Sequence, residues 1–171
     1  REGRYDEAAE EAAKAIDIDP LHPGKRYGAA LDAIGANRYD VVIQESQRAL
    51  GLEPTLTVPY TLLGLANLLE GRPDECLGVL GDLLPGVRAM CHYSRGEETR
   101  AMQLIDSLKS TLTSTDDPIN YGEMVLYRDI AMFYAWIGEV DETLDWMERA
   151  VSWSHHAIDF RYIDSGIFDK V

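Results

Sequence analysis

Apolar residues return along this chain at helical spacing, and the apolar runs are cut at intervals by glycine, asparagine and proline. In the opening stretch Tyr5, Ala8, Ala12, Ala15 and Ile16 share one side of a helix predicted from Asp6 to Ile18. Further along, the pattern predicts helical pairs from about Gly24 to Leu52 and from Pro59 to Leu84. A short helix follows near Val87 to Ser94, then one from Thr99 to about Leu112, and a last pair from Tyr121 to His155. Thr113 to Asn120 is rich in Ser, Thr, Asp, Pro and Asn and reads as a loop.

The interruptions keep a ruler. Gly3-Arg4-Tyr5-Asp6 recurs as Asn37-Arg38-Tyr39-Asp40 and again as Gly71-Arg72-Pro73-Asp74, each step being 34 residues. Ala15 and Ala49, Ile16 and Leu50, and Pro20 and Pro54 keep the same step. The ladder loosens at Gly96-Glu97-Glu98-Thr99 and regains its form at Gly138-Glu139-Val140-Asp141. Glycine at the first position, or asparagine at 37, suits a left-handed residue that stops a helix. Asp6, Asp40, Asp74, Thr99 and Asp141 are expected to cap the helix that follows. Ala8, Val42, Cys76, Ala101 and Thr143 occupy a position where helices approach closely. Pro20 and Pro54 end the second helix of a pair.

These residues resemble the tetratricopeptide repeat family, in which each unit is two antiparallel helices. Tyr60, Leu63 and Gly64, and later Tyr127, Ile130, Ala131 and Tyr134, match the family's first-helix pattern, while its usual first-helix tryptophan is missing throughout. The resemblance implies an all-α, right-handed superhelix of about four and a half helix-turn-helix repeats with a C-terminal capping tail. On that reading a single repeat domain holds a half repeat (1–20), repeats over 23–54 and 57–84, an irregular repeat (85–112), a loop (113–120), a last repeat (121–155) and a tail (156–171). The aromatic tail is expected to dock on the last helix, since repeat arrays need capped ends.

Composition narrows the function classes. The 171 residues are 46% hydrophobic, enough for a continuous core, and carry a formal net charge of −14. That charge excludes the basic face that nucleic acid or an anionic membrane requires. No run approaches a membrane span, and no signal sequence opens the chain. With two cysteines in no metal or redox spacing, free thiols, no disulfide between Cys76 and Cys91 and a cytoplasmic location are expected. The chain opens on Arg1, so a longer parent protein is expected.

Candidate chemistry is sparse. His155, His156 and Asp159 suggest a metal, but zinc needs three or four ligands and no further cluster is apparent, so they read as a helix end. Met90-Cys91-His92 cannot converge, because neighbouring residues on a helix point apart. The pairs Glu97-Glu98 and Asp116-Asp117 read as helix-start acids. Nothing matches a phosphate loop, dinucleotide fingerprint, nucleophile elbow or zinc-protease helix. A non-catalytic protein with no cofactor and no metal is expected.

In the family the first helix of each unit lines the inside of the superhelix. By that phase the groove positions here are Tyr27, Leu31 and Ile34; Leu62, Leu65 and Leu69; Met90 and Tyr93; and Arg128, Met132 and Trp136. Family members that clamp a terminal carboxylate place Lys, Arg and Asn there, whereas this chain has Tyr27, Leu31, Leu62 and Leu65. Two readings stand: the stripe anchors an apolar peptide, helix or partner domain, or a tight superhelix or an upstream segment covers it. The first makes the chain a protein-interaction scaffold. The last unit also resembles, more loosely, the C-terminal repeats of bacterial signalling chains with a cyclase, kinase or DNA-binding domain upstream, which implies a regulatory region instead. A weak homodimer through the N-terminal helix is a further expectation.

Overall fold

The computed structural model describes residues 2–112, 121–153 and 166–169. Among them are nine α-helices and no strand: α1 (Glu2–Ile18), α2 (Pro23–Gly35), α3 (Tyr39–Leu52), α4 (Thr57–Leu69), α5 (Pro73–Leu80), α6 (Pro85–Ser94), α7 (Glu98–Thr111), α8 (Tyr121–Ile137) and α9 (Val140–Trp153). The all-α class expected from the apolar pattern is the class observed. Among the described residues no helix is long and apolar enough to cross a membrane.

One local device makes four of the turns. Asn37, Gly71, Gly96 and Gly138 all have left-handed backbone, with φ of 57°, 73°, 78° and 84°. At each, the N–H of the next residue reaches back five positions: Arg38 to the Ala33 carbonyl, Arg72 to Asn67, Glu97 to His92 and Glu139 to Tyr134, at 2.8–3.0 Å. The left-handed residue's own N–H donates three positions back, to the carbonyls of Ile34, Leu68, Tyr93 and Ala135, and the two bonds together satisfy orphan carbonyls of the ending helix. The residue that closes the turn then starts the next helix, for the carbonyls of Arg38, Arg72, Glu97 and Glu139 accept from Val42, Cys76, Ala101 and Thr143.

That overlap corrects the expected caps. Asp40, Asp74 and Thr99 lie inside the first turns of α3, α5 and α7, whose cap residues are Arg38, Arg72 and Glu97 and make no side-chain cap bond. Asp141 likewise lies in the first turn of α9. The turn leaves no spare residues, so the helix restarts earlier than a free-standing one would. The acids act there through the helix dipole.

The chain forms two compact units, α1–α5 and α6–α9. In the first, each helix packs on the next and α2 also touches α4. Ala30, Ala33, Ile34, Val42, Ala49, Leu62, Leu65, Ala66 and Leu80 make its core. Two close approaches fix the helix spacing. The Tyr5 ring lies where a β-carbon on Gly35 would sit, and Leu80 crowds Gly64. Glu45 is buried between Arg26 (3.0 Å) and Arg48 (2.6 Å). The expected dimer positions Tyr5, Ala8, Ala12, Ala15 and Ile16 are half-buried, on a helix that packs on α2.

In the second unit α6 packs on α7 and α8, and α8 on α9. Met90, Ile105, Ile130, Met132, Phe133 and Ala150 are fully buried. The small-residue positions Val42, Cys76, Ala101 and Thr143 are fully buried, as close helix contact demands, whereas Ala8 is half-buried.

The cysteines overturn an expectation. Neither is a free thiol; both Cys76 and Cys91 are disulfide-bonded and fully buried. A buried cysteine at a tight helix contact reads as packing in sequence, whereas pairing depends on spatial distance that spacing along a helix does not reveal. The cytoplasmic expectation thereby loses the free thiols that supported it. The loop at 113–120, Asp116, Asp117, the pair His155-His156, Asp159 and the tail through Ser165 lie outside the described residues.

Candidate partner-binding surface

The eleven groove positions divide by exposure, each unit taken by itself. On α2, Tyr27 and Leu31 are half-buried and Ile34 is fully buried. On α4, Leu62 and Leu65 are fully buried and Leu69 is half-buried. On α6, Met90 is buried and Tyr93 half-buried; on α8, Met132 is buried while Arg128 and Trp136 are half-buried. Ile34, Leu62, Leu65, Met90 and Met132 are therefore core residues with no surface to offer. The reason is clearest in α4, which is predominantly apolar and buried from Thr61 to Leu68 between α3, α5 and α2. Direct α2–α4 and α6–α8 packing consumes the middle of each first helix and leaves its ends and edges.

Two of the accessible positions, Tyr93 and Trp136, are aromatics held by neighbours. The Tyr93 ring meets Phe133 edge-on, centroids 6.2 Å apart. Trp136 Nε1 donates to Ser94 Oγ at 2.9 Å, and that hydroxyl donates to the Met90 carbonyl, also at 2.9 Å. Sequence reasoning saw Trp136 but not the serine that orients it. Tyr60 on α4 is half-buried and was not among the groove positions.

The charged groups nearby are largely committed. Arg128 donates twice to Asp129 Oδ1, at 3.1 and 2.7 Å, and Asp129 is buried. The Asp129 side chain stands against Gly86, where a β-carbon would lie 2.6 Å from its own β-carbon. It thus places a carboxylate at the N-terminus of α6, whose cap Leu84 is left-handed and makes no side-chain bond. An anion there is stabilised by the helix dipole.

His92 is buried, and its Nδ1–H donates to Glu97 Oε2 at 2.6 Å. That bond, and secondarily the Arg95 charge, hold the Glu97 carboxyl below its ordinary 4.5 against an opposing desolvation effect. Lys109 Nζ donates to the Tyr134 hydroxyl at 2.6 Å and lies over the rings of Tyr134 and Trp146. Neither arrangement pairs a nucleophile with a base. Among the described residues no three His, Cys, Asp or Glu side chains gather as metal ligands. A groove of about 140 Å³ among α1, α2 and α3, lined by Ala9, Ala12, Ala13, Ile16, Ala29, Arg38, Val41 and Glu45, has room for little more than one side chain.

Helix pairs joined by the same left-handed turn, with small residues at the pair contacts, define a tetratricopeptide-like helical repeat fold. The crystal structure of MamA shares it: the two align over 90% of each chain with a TM-score of 0.57 and 18% sequence identity. No family model matches the sequence, and no curated protein matches it.

Proposed function

We propose that this chain is a tetratricopeptide repeat scaffold that holds a protein or peptide partner through half-exposed aromatic residues on its first helices and performs no chemistry. Tyr93 and Trp136 carry the reading. Both are large, partly exposed and fixed by neighbours, so little side-chain entropy is lost on binding, and such residues dominate interface energetics. On this view the contacts of the first unit fall to Tyr27, Leu31 and Leu69. Arg128, being paired with Asp129, serves as an edge rather than as an anion receptor. Apart from Arg128, the surviving positions are apolar and aromatic, which favours a peptide with apolar anchors over a terminal carboxylate.

The test is a photo-crosslinking amino acid placed at Trp136, at Tyr93 and, as a control, at exposed Asp106, in the chain's native host. A shared adduct of one discrete mass from 136 and 93, absent from 106, is the expected result. Equal labelling at all three sites would sink the proposal.

A further inference from the structure

The last second helix carries an apolar stripe that its counterparts do not expose. On α9, Val140, Leu144 and Val151 are 44%, 59% and 39% exposed, and Met147 between them is half-buried. Their spacing puts all four on one line along the helix. The adjoining flank, Thr143, Trp146 and Ala150, is buried.

The repeat register shows what such a line faces elsewhere. Counting from the left-handed residue, Leu144 and Met147 correspond to Ile43 and Ser46 of α3 and to Met102 and Ile105 of α7. Ser46 and Ile105 are fully buried, and Ile43 and Met102 half-buried. Both α3 and α7 lie between two helices, α3 between α2 and α4 and α7 between α6 and α8, whereas among the described helices α9 packs on α8. At this register α3 and α7, each with a second helical neighbour, are buried at Ser46 and Ile105, whereas α9 is 59% exposed at Leu144 and half-buried at Met147.

Charge selects the kind of helix. Along the solvent edge of the stripe stand Asp141, Asp145 and Glu148, all exposed; Asp145 is paired with Arg149 at 2.8 Å, so the net negative charge of the edge rests on Asp141 and Glu148, and the whole chain carries −14. An antiparallel two-fold pair of α9 helices would set the two acidic edges side by side, where like charges oppose contact. A helix with lysine or arginine along the matching edge gains from the same charges. We infer that the Val140–Val151 face of α9 docks an amphipathic, basic-edged helix of another protein. The face is separate from the aromatic positions proposed above, so either reading can fail alone.

Fluorescence anisotropy tests it, with the full chain and a labelled synthetic helix bearing leucines at the spacing of the stripe and lysines along one edge. The lysine-edged peptide is expected to bind, and its glutamate-edged counterpart to bind at least about tenfold more weakly at low salt. Leu144→Asp should weaken binding by about tenfold or more, and Val151→Lys should weaken it too. Both sites are exposed, and circular dichroism melts confirm that the variants fold. Trp136→Ala should leave this binding unchanged. Equal binding of both peptides, or full binding by Leu144→Asp, overturns the inference. So does a chain that dimerises through this face in sedimentation, or peptide binding that arises only after residues 154–171 are removed.

Discussion

Two glycines make opposite demands on the same substitution. Gly86 has the Asp129 β-carbon 2.6 Å from where its own would be, while Gly28, inside α2, has nothing within 4 Å. Gly86→Ala is expected to lower stability by about 1–3 kcal/mol through overpacking. Gly28→Ala should raise it by roughly 0.5–1 kcal/mol, because alanine restricts the unfolded chain. Urea melts of the two variants should therefore shift in opposite directions. Glu97 offers a titration. Its carboxyl is depressed below 4.5 by His92, so its contribution to stability is present above the unfolded value and lost as pH falls through the folded one. In His92→Gln the Glu97 pKa should rise, as carbon-detected NMR would record; an unchanged pKa would place the cause elsewhere. At this scale the sequence was informative about size and poor about partners. The small side chains at 42, 76, 101 and 143 announce close contact whatever fills them. The Ser94–Trp136 and His92–Glu97 bonds and the bonded state of the cysteines depend on tertiary or turn geometry that no spacing encodes.

The helices were legible because each helix-ending signal is local. A left-handed glycine or asparagine, followed by a residue that both closes and opens a helix, can be read from five letters. The cap positions were misplaced for the same reason, since an aspartate three residues on is ordinarily a cap and here the turn leaves no gap. Burial was not legible at the expected groove positions: phase along a first helix does not give the depth to which its neighbours bury a residue such as Ile34 or Leu62. Helix α3 gives a direct check of register. Ala49 is fully buried and Glu53 is exposed. Ala49→Trp should cost more than about 3 kcal/mol, being a far larger overpacking than single methylenes, whereas Glu53→Trp should stay within roughly 0.5 kcal/mol. Coincident thermal melts would mean that the register is wrong. The same helix buries Glu45 between two arginines, and Glu45→Ala should cost about 3 kcal/mol by leaving Arg26 unpaired in a largely buried place.

For the whole molecule, charge governs behaviour outside the core. A net charge of −14 opposes contact between copies, most strongly at low ionic strength. If α1 pairs weakly with a second copy, as its half-buried Ala12, Ala15 and Ile16 suggest, added salt should strengthen the pair. Light scattering over a concentration series, at low and at moderate salt, reads this directly, and Ile16→Asp should abolish any salt-promoted dimer. A dimer that dissociates as salt is added would instead be held by opposite charges and would exclude this apolar contact. The turn that closes four of the helix ends has a consequence for how such a chain can change over generations. It is made from backbone bonds and one permissive residue, so the instruction to reverse direction is complete within a few consecutive codons. Helices of 8 and 17 residues coexist in this chain, and the 8-residue helix opens directly from the turn at Gly71 that the longer ones share. Whole pairs can thus be copied, dropped or lengthened between turns with each remaining turn still specified, leaving the exposed edges of individual helices free to acquire new partners.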